Sequence, residues 1–157
     1  EIWIHGDSVA TGYWGREEET KRTFGATISQ STNGTAGKTF LRTGDLGFMA
    51  DGHLYVTGRL KDLIIIRGRN HYPQDIELTV EESHSALEQG ASAAFAIEID
   101  GTEKLAVAVE VSRVSMRTLN ANSVIQAIRK AVSENHELQA HTVLLLKPRS
   151  IPKTSSG

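Results

Sequence analysis

Gly58-Arg59-Leu60-Lys61-Asp62-Leu63-Ile64-Ile65-Ile66-Arg67-Gly68-Arg69-Asn70-His71-Tyr72-Pro73 divides the chain into two kinds of sequence. Its centre, residues 63–66, is an unbroken apolar run of strand length, which reads as a strand. Pro73 then stands where the first turn of a helix can use it, because the N–H it lacks has no intrahelical partner there. Ahead of the apolar run, Gly58 and the charged residues 59–62 have the composition of a junction, so a boundary is expected at 58–62.

On the N-terminal side, Asp51-Gly52 lies between the apolar runs 46–49 and 53–58, a strong hairpin signal because glycine accepts positive φ. Residues 25–39 are dense in Gly, Ser, Thr and Asn and read as a mobile loop, 17–24 as a short surface helix, and Ile2 and Ile4 alternate as in a strand. Residues 1–58 are therefore expected to be β-rich. On the C-terminal side, Ile76, Val80 and Leu87 recur at helical spacing, with Asp75, Glu77, Glu81 and Glu82 outside the stripe. Residues 91–99 and 103–111 flank Asp100-Gly101 as a second hairpin. A helix over roughly 122–136 carries the stripe Val124, Ile128 and Val132, widened by Ile125, and a strand over 143–146 ends the pattern. The expected fold class is α+β: the end of a β-rich subdomain over 1–58, a connection at 59–62, and a small domain over 63–157 with a short sheet and two main helices on one face.

Composition narrows the function classes. The chain has 157 residues, 39% hydrophobic and 23% charged, which is enough to build a packed core. Residues 1–60 carry six basic and seven acidic side chains and 61–157 carry eleven and twelve, so neither half has the basic excess of a nucleic-acid binder. The absence of cysteine excludes a disulfide framework, a thiolate metal site and a cysteine nucleophile, and it fits a reducing, cytoplasmic setting. No apolar run approaches the ~18 residues that span a bilayer. Glu1-Ile2-Trp3-Ile4-His5 lacks the basic start of a signal peptide, and both ends read as cut from a longer chain.

Three polar segments can carry chemistry. Arg42-Thr43-Gly44-Asp45 delivers a carboxylate just past a glycine, where it either caps a turn or accepts hydrogen bonds from two vicinal hydroxyls such as those of a ribose. Arg59, Lys61, Arg67 and Arg69 form a concentrated basic run, either a solvated junction or a match for phosphate oxygens. The third, Ser150-Ile151-Pro152-Lys153-Thr154-Ser155-Ser156-Gly157, has the composition of a flexible linker. The six histidines lack metal-site spacing, so no metal ligand is expected.

Taken together and in order, Arg42-Thr43-Gly44-Asp45, Gly58 through Gly68, Pro73-Gln74-Asp75-Ile76-Glu77 and Pro152-Lys153-Thr154-Ser155-Ser156-Gly157 resemble the C-terminal motifs of the adenylate-forming enzymes, across essentially the whole chain. The stretch from Arg67 to Glu77 looks most like the fatty acyl-AMP ligases, which load fatty acids onto carrier proteins of polyketide and lipopeptide lines. The resemblance implies a parent enzyme that uses ATP, with Mg2+ accompanying it, to convert a fatty acid to acyl-AMP. The acyl group then passes to the phosphopantetheine thiol of an acyl carrier protein. By position, Asp45 would bind the ribose hydroxyls and Arg59 would face the ribose and phosphates. Lys61, with Asp62 beside it, would be the hinge about which the small domain rotates, and Gly68 would let the pantetheine arm pass.

The resemblance also marks what residues 1–157 lack. In the family the Pro-x-x-x-x-Gly motif is followed at once by a lysine that stabilises charge during adenylation, whereas this sequence stops at Gly157 and Lys153 falls five positions early. Without that lysine and the large domain bearing the acyl pocket, residues 1–157 alone are expected to be inactive and to hold no catalytic residue. Two other readings share the motifs: an acyl-CoA ligase with free CoA as acceptor, and a non-catalytic module that docks carrier proteins.

Overall fold

The computed structural model describes residues 1–28 and 34–153. The centre of the loop expected over 25–39 and the last four residues of the tail motif lie outside the described residues. The chain forms two compact units, Glu1–Lys61 and Asp62–Gly157.

The first unit is β-rich. Strand β1 (Trp3–Ile4) pairs antiparallel with β2 (Leu41–Arg42), and helix α1 (Glu17–Phe24) lies between them in sequence. The hairpin of β3 (Asp45–Ala50) and β4 (His53–Arg59) turns through Asp51 and Gly52, both at positive φ. Phe48 stacks on Tyr55 across it, ring centroids 5.3 Å apart.

The second unit contains the larger core. Strands β5 (Ile64–Ile66) and β6 (Arg69–His71) form a hairpin, followed by α2 (Pro73–Glu82). Strand β7 (Leu87–Ile99) pairs antiparallel with β8 (Thr102–Val111), and β8 pairs parallel with β9 (Ala140–Leu146). Parallel neighbours need a crossover, which α3 (Ala121–His136) supplies. Every residue from Leu105 to Val111 is buried, and Leu105, Val107 and Val109 meet the stripes Ile76 and Val80 of α2 and Val124, Ile128 and Val132 of α3. Each such side chain contributes about 1.5–3 kcal/mol over its exposed state. The fold is α+β, as the sequence pattern predicts.

One local expectation is corrected. Leu87 is not part of α2; the helix stops at Glu82, Ser83 turns back onto Val80, and Leu87 opens β7 opposite Val111. Its burial, at only 5% exposed, explains why it mimicked the helical stripe. After Ile66 the chain turns straight back into β6, because Arg67 (φ 53°) and Gly68 (φ 74°) make a two-residue turn. An Arg-Gly pair signals such a turn less strongly than Asp-Gly, since arginine lacks the short side chain that eases positive φ.

Two modest effects follow from this packing. The N-cap of α3 is Asn120, whose side chain accepts from the Ser123 backbone N–H at 3.2 Å. Asn120→Ala should lower stability by about 1 kcal/mol, seen as a reduced urea midpoint at unchanged slope. His71 has a buried Nε2 with no hydrogen-bond partner among the described residues, and burial first, then His136 and Arg69, hold its pKa below the ordinary histidine value. Above about pH 6.5 the ring is neutral folded or unfolded and there is no penalty. As pH falls, the unfolded chain takes up the proton first, so stability is lost until the lower folded pKa is passed. Wild type should therefore lose more stability than His71→Phe on going from pH 7 to about 5.5, measured by urea unfolding at each pH.

Candidate functional site

Asp45 and Arg59 occupy opposing register positions at the open end of the β3–β4 hairpin, and Arg59 Nε donates to Asp45 Oδ1 at 3.2 Å. Their placement follows from the preceding turn. Thr43 Oγ1 donates to the Ile2 carbonyl at 2.8 Å and accepts from Asp45 N at 3.0 Å, while Gly44 adopts φ 78°. Thr43, not Asp45, therefore caps this turn, and the Asp45 carboxylate faces its arginine instead. Glu1 braces the same turn from the other side: its carboxylate accepts from Gly44 N at 3.2 Å, Trp3 Nε1 at 2.8 Å and Arg42 Nε at 2.9 Å. These donors, the Trp3 indole foremost, hold the Glu1 pKa below the ordinary carboxylate range. The ladder slips one register between Leu46 and Gly47. A Cβ on Gly47 would lie 2.5 Å from the Tyr55 carbonyl oxygen, so the close approach of the two strands here requires glycine.

The pair is accessible. The Asp45 side chain is 36% exposed and that of Arg59 69%. Asp45 Oδ2 has no protein partner among the described residues, and Arg59 has spent one of its five donors on Asp45. An acceptor oxygen beside a guanidinium fork suits a diol next to a phosphate.

Beyond Arg59, the Leu60 N–H returns to the Gly44 carbonyl at 2.8 Å and a turn over 60–62 leads to β5. Lys61 is the last residue of the first unit and Asp62 the first of the second, and both are exposed. The basic run does not act as one patch. Arg59 is committed to Asp45, and Arg69 Nη1 pairs with Glu137 Oε2 at 2.7 Å. Arg67 lines a cleft of about 570 Å³ with Lys104, Arg129 and Lys130. Arg129 is turned onto the carbonyls of Ala140 and His141. Gly68 sits in the β5–β6 turn, where a Cβ would meet nothing within 4 Å, so backbone conformation is the local reason for glycine and the space above it is open.

Sequence reasoning missed the buried carboxylates of the second unit. Glu110, 4% exposed, accepts backbone N–H bonds from Arg149 at 2.7 Å and Ile151 at 2.8 Å. The N–H groups of Ile151, then Arg149, hold its pKa below the ordinary range. Glu81, 8% exposed, accepts from Gly90 N at 2.7 Å, Ala91 N at 3.0 Å and Ser92 Oγ at 2.6 Å. Glu77 accepts from Ala94 N at 2.9 Å, but burial outweighs that bond and raises its pKa. The available signal was a glutamate inside Leu105-Ala106-Val107-Ala108-Val109-Glu110-Val111, where every neighbour is apolar. Among the described residues no group of three or more His, Asp or Glu side chains could hold a metal ion, and no helix is long and apolar enough to cross a membrane.

The chain is 57% identical over its full length to the medium-chain-fatty-acid–[acyl-carrier-protein] ligase JamA of Moorena producens, of which it covers 26%. It is 42% identical, again over its full length, to the long-chain-fatty-acid–AMP ligase FadD23 of Mycobacterium tuberculosis, covering 26%. Among solved structures, a fatty acyl-adenylate ligase from a study of the E. coli and L. pneumophila enzymes superposes with a TM-score of 0.72 at 37% identity, over 99% of this chain and 25% of that one. The chain thus spans about a quarter of the length of these relatives. A family profile described as Disco-interacting protein 2-like, AMP domain, matches residues 61–157, more than half of the sequence, and the chain accordingly belongs to this family of adenylate-forming enzymes.

Proposed function

We propose that the full-length parent is a fatty acyl-AMP ligase serving an acyl carrier protein. In the first half-reaction a fatty-acid carboxylate oxygen attacks the α-phosphorus of ATP, the bond to the β-phosphate breaks, and pyrophosphate leaves. In the second, the phosphopantetheine sulfur attacks the acyl carbonyl carbon, the bond to AMP breaks, and the thiol proton is lost to solvent or base. The observation that carries this reading is the full-length 57% identity to a relative named as a fatty-acid–[acyl-carrier-protein] ligase, joined to an Asp45–Arg59 pair with the donor and acceptor set for a nucleoside phosphate.

Within this proposal residues 1–58 are the last β-rich part of the large N-terminal domain, 59–62 the hinge and 63–157 the small C-terminal domain. Asp45 accepts from the ribose hydroxyls, and Arg59, held by Asp45, directs its remaining N–H groups toward phosphate oxygens. Charge develops on the α-phosphate and pyrophosphate during adenylation, so fixed cations favour the transition state over bound substrate. Mg2+ would accompany ATP and offset charge on its phosphates, since no group of described side chains here could hold the ion. Lys61 and Asp62 absorb the backbone rotation between half-reactions, and the open side of Gly68 receives the pantetheine arm. Residues 152–157 match the adenylation motif that a lysine follows in the family. A cytoplasmic setting belongs to this reading, and the absence of cysteine from the sequence fits a reducing compartment.

The test uses the full-length parent with fatty acid, ATP and Mg2+, measuring pyrophosphate release and then acyl transfer to a phosphopantetheinylated carrier protein or to CoA. Pyrophosphate release with transfer to the carrier protein is the expected result. Preferred formation of acyl-CoA would replace the acceptor, and no pyrophosphate release would leave the docking module as the surviving reading.

A further inference from the structure

Glu110 has no part in the nucleotide or hinge chemistry above, yet it is a buried carboxylate held in an apolar strand. It lies on β8 at the alternation of Ala106 and Ala108, opposite the face that Leu105, Val107 and Val109 present to the core. Such a charge is tolerated only where donors converge on it. Here the donors all come from the segment that follows β9. Arg149 N reaches Oε2 at 2.7 Å and Ile151 N reaches Oε1 at 2.8 Å, with Arg149 at φ 65°. A left-handed residue in such a run turns successive N–H groups to one side, making a concave anion cradle from the backbone.

A second tie follows two residues later. Lys153 Nζ donates to the Gly90 carbonyl at 2.7 Å, and the N–H of that same Gly90 is fixed by the buried Glu81 at 2.7 Å. One carboxylate thus holds the backbone of 149–151 and another holds the acceptor for Lys153. A flexible linker would need neither. We propose that Glu110 is a positioning residue that fixes residues 149–153, the root of the tail motif, and so serves the adenylation half-reaction. This rests on the ligase reading above, in which the tail works in adenylation and not in acyl transfer.

The test compares full-length wild type with Glu110→Gln and Ile151→Pro, the second variant removing the N–H from the other side of the same bond. Acyl-AMP formation and acyl transfer from supplied acyl-adenylate are measured separately. Both variants should lower kcat for acyl-AMP formation by about tenfold or more while KM for ATP and the transfer rate stay within about twofold. Unchanged adenylation in Ile151→Pro, or an equal fall of both half-reactions in both variants, would overturn the proposal. Wild type inactive in adenylation would instead sink the ligase reading, so the two failures are told apart.

Discussion

Proline at position 61 of the full-length parent is expected to leave one half-reaction running and stop the other. Leu60 is anchored by its N–H to the Gly44 carbonyl at 2.8 Å, and β5 begins at Ile64, so residues 61–63 are the only chain between two internally packed units. If those units change orientation between adenylation and transfer, the φ and ψ change must fall there, beginning at Lys61. Proline fixes φ near −65°, removes the backbone donor and drives Leu60 toward extended conformations. One orientation remains compatible with these limits. Misplacing reacting groups by an ångström costs about a hundredfold, so the disallowed half-reaction should fall at least that far. Acyl-AMP formation and acyl transfer to carrier protein, assayed separately in Lys61→Pro, decide the matter: two wild-type rates would show that Lys61 is not the hinge. Two lost rates in a folded protein would show damage beyond rotation.

The same junction shows why the fold was legible in the sequence. Residues 63–66 read as an apolar strand, and β5 forms over Ile64–Ile66 with one face buried: Ile64 and Ile66 are 2% and 7% exposed, while Ile65 between them is 48% exposed. The α3 stripe and the Asp51-Gly52 and Asp100-Gly101 turns were equally direct, each resting on a local rule. Leu87 misled because burial is shared by strand and helix, and only pairing with Val111, a partner distant in sequence, sets which it joins. The candidate site divides along the same line. Asp45 and Arg59 were each picked out by motif, but their pairing depends on hairpin register, and the part of Thr43 and Glu1 in bracing Gly44 depends on strands β1 and β2 meeting. The clamps at Glu110 and Glu81 were invisible for the same reason, since their donors lie 39 to 41 and 9 to 11 residues away in the chain.

Asp45→Ala in the full-length parent should raise the ATP requirement for acyl-AMP formation without changing the requirement for fatty acid. On the proposed reading, the substitution removes an anionic acceptor from two ribose hydroxyls. Hydrogen bonds to a charged group are worth about 1.5–3 kcal/mol each. With the carboxylate 36% exposed, the lower end applies to both, giving about 3 kcal/mol, or a loss of roughly a hundredfold in kcat/KM for ATP. Loss of the Asp45–Arg59 ion pair cannot supply that effect, because exposed pairs contribute about 0–1 kcal/mol. Asp45→Asn separates the two causes. It keeps one acceptor oxygen while abolishing the charge, so it should fall between wild type and alanine if the ribose contact is the source, and should match alanine if the pairing with Arg59 is what matters. Pyrophosphate release measured against ATP at saturating fatty acid, and against fatty acid at saturating ATP, gives both dependences. An unchanged ATP dependence in Asp45→Ala would remove the carboxylate from the nucleotide site, and Arg59, held where it is by that carboxylate, would lose its assignment along with it.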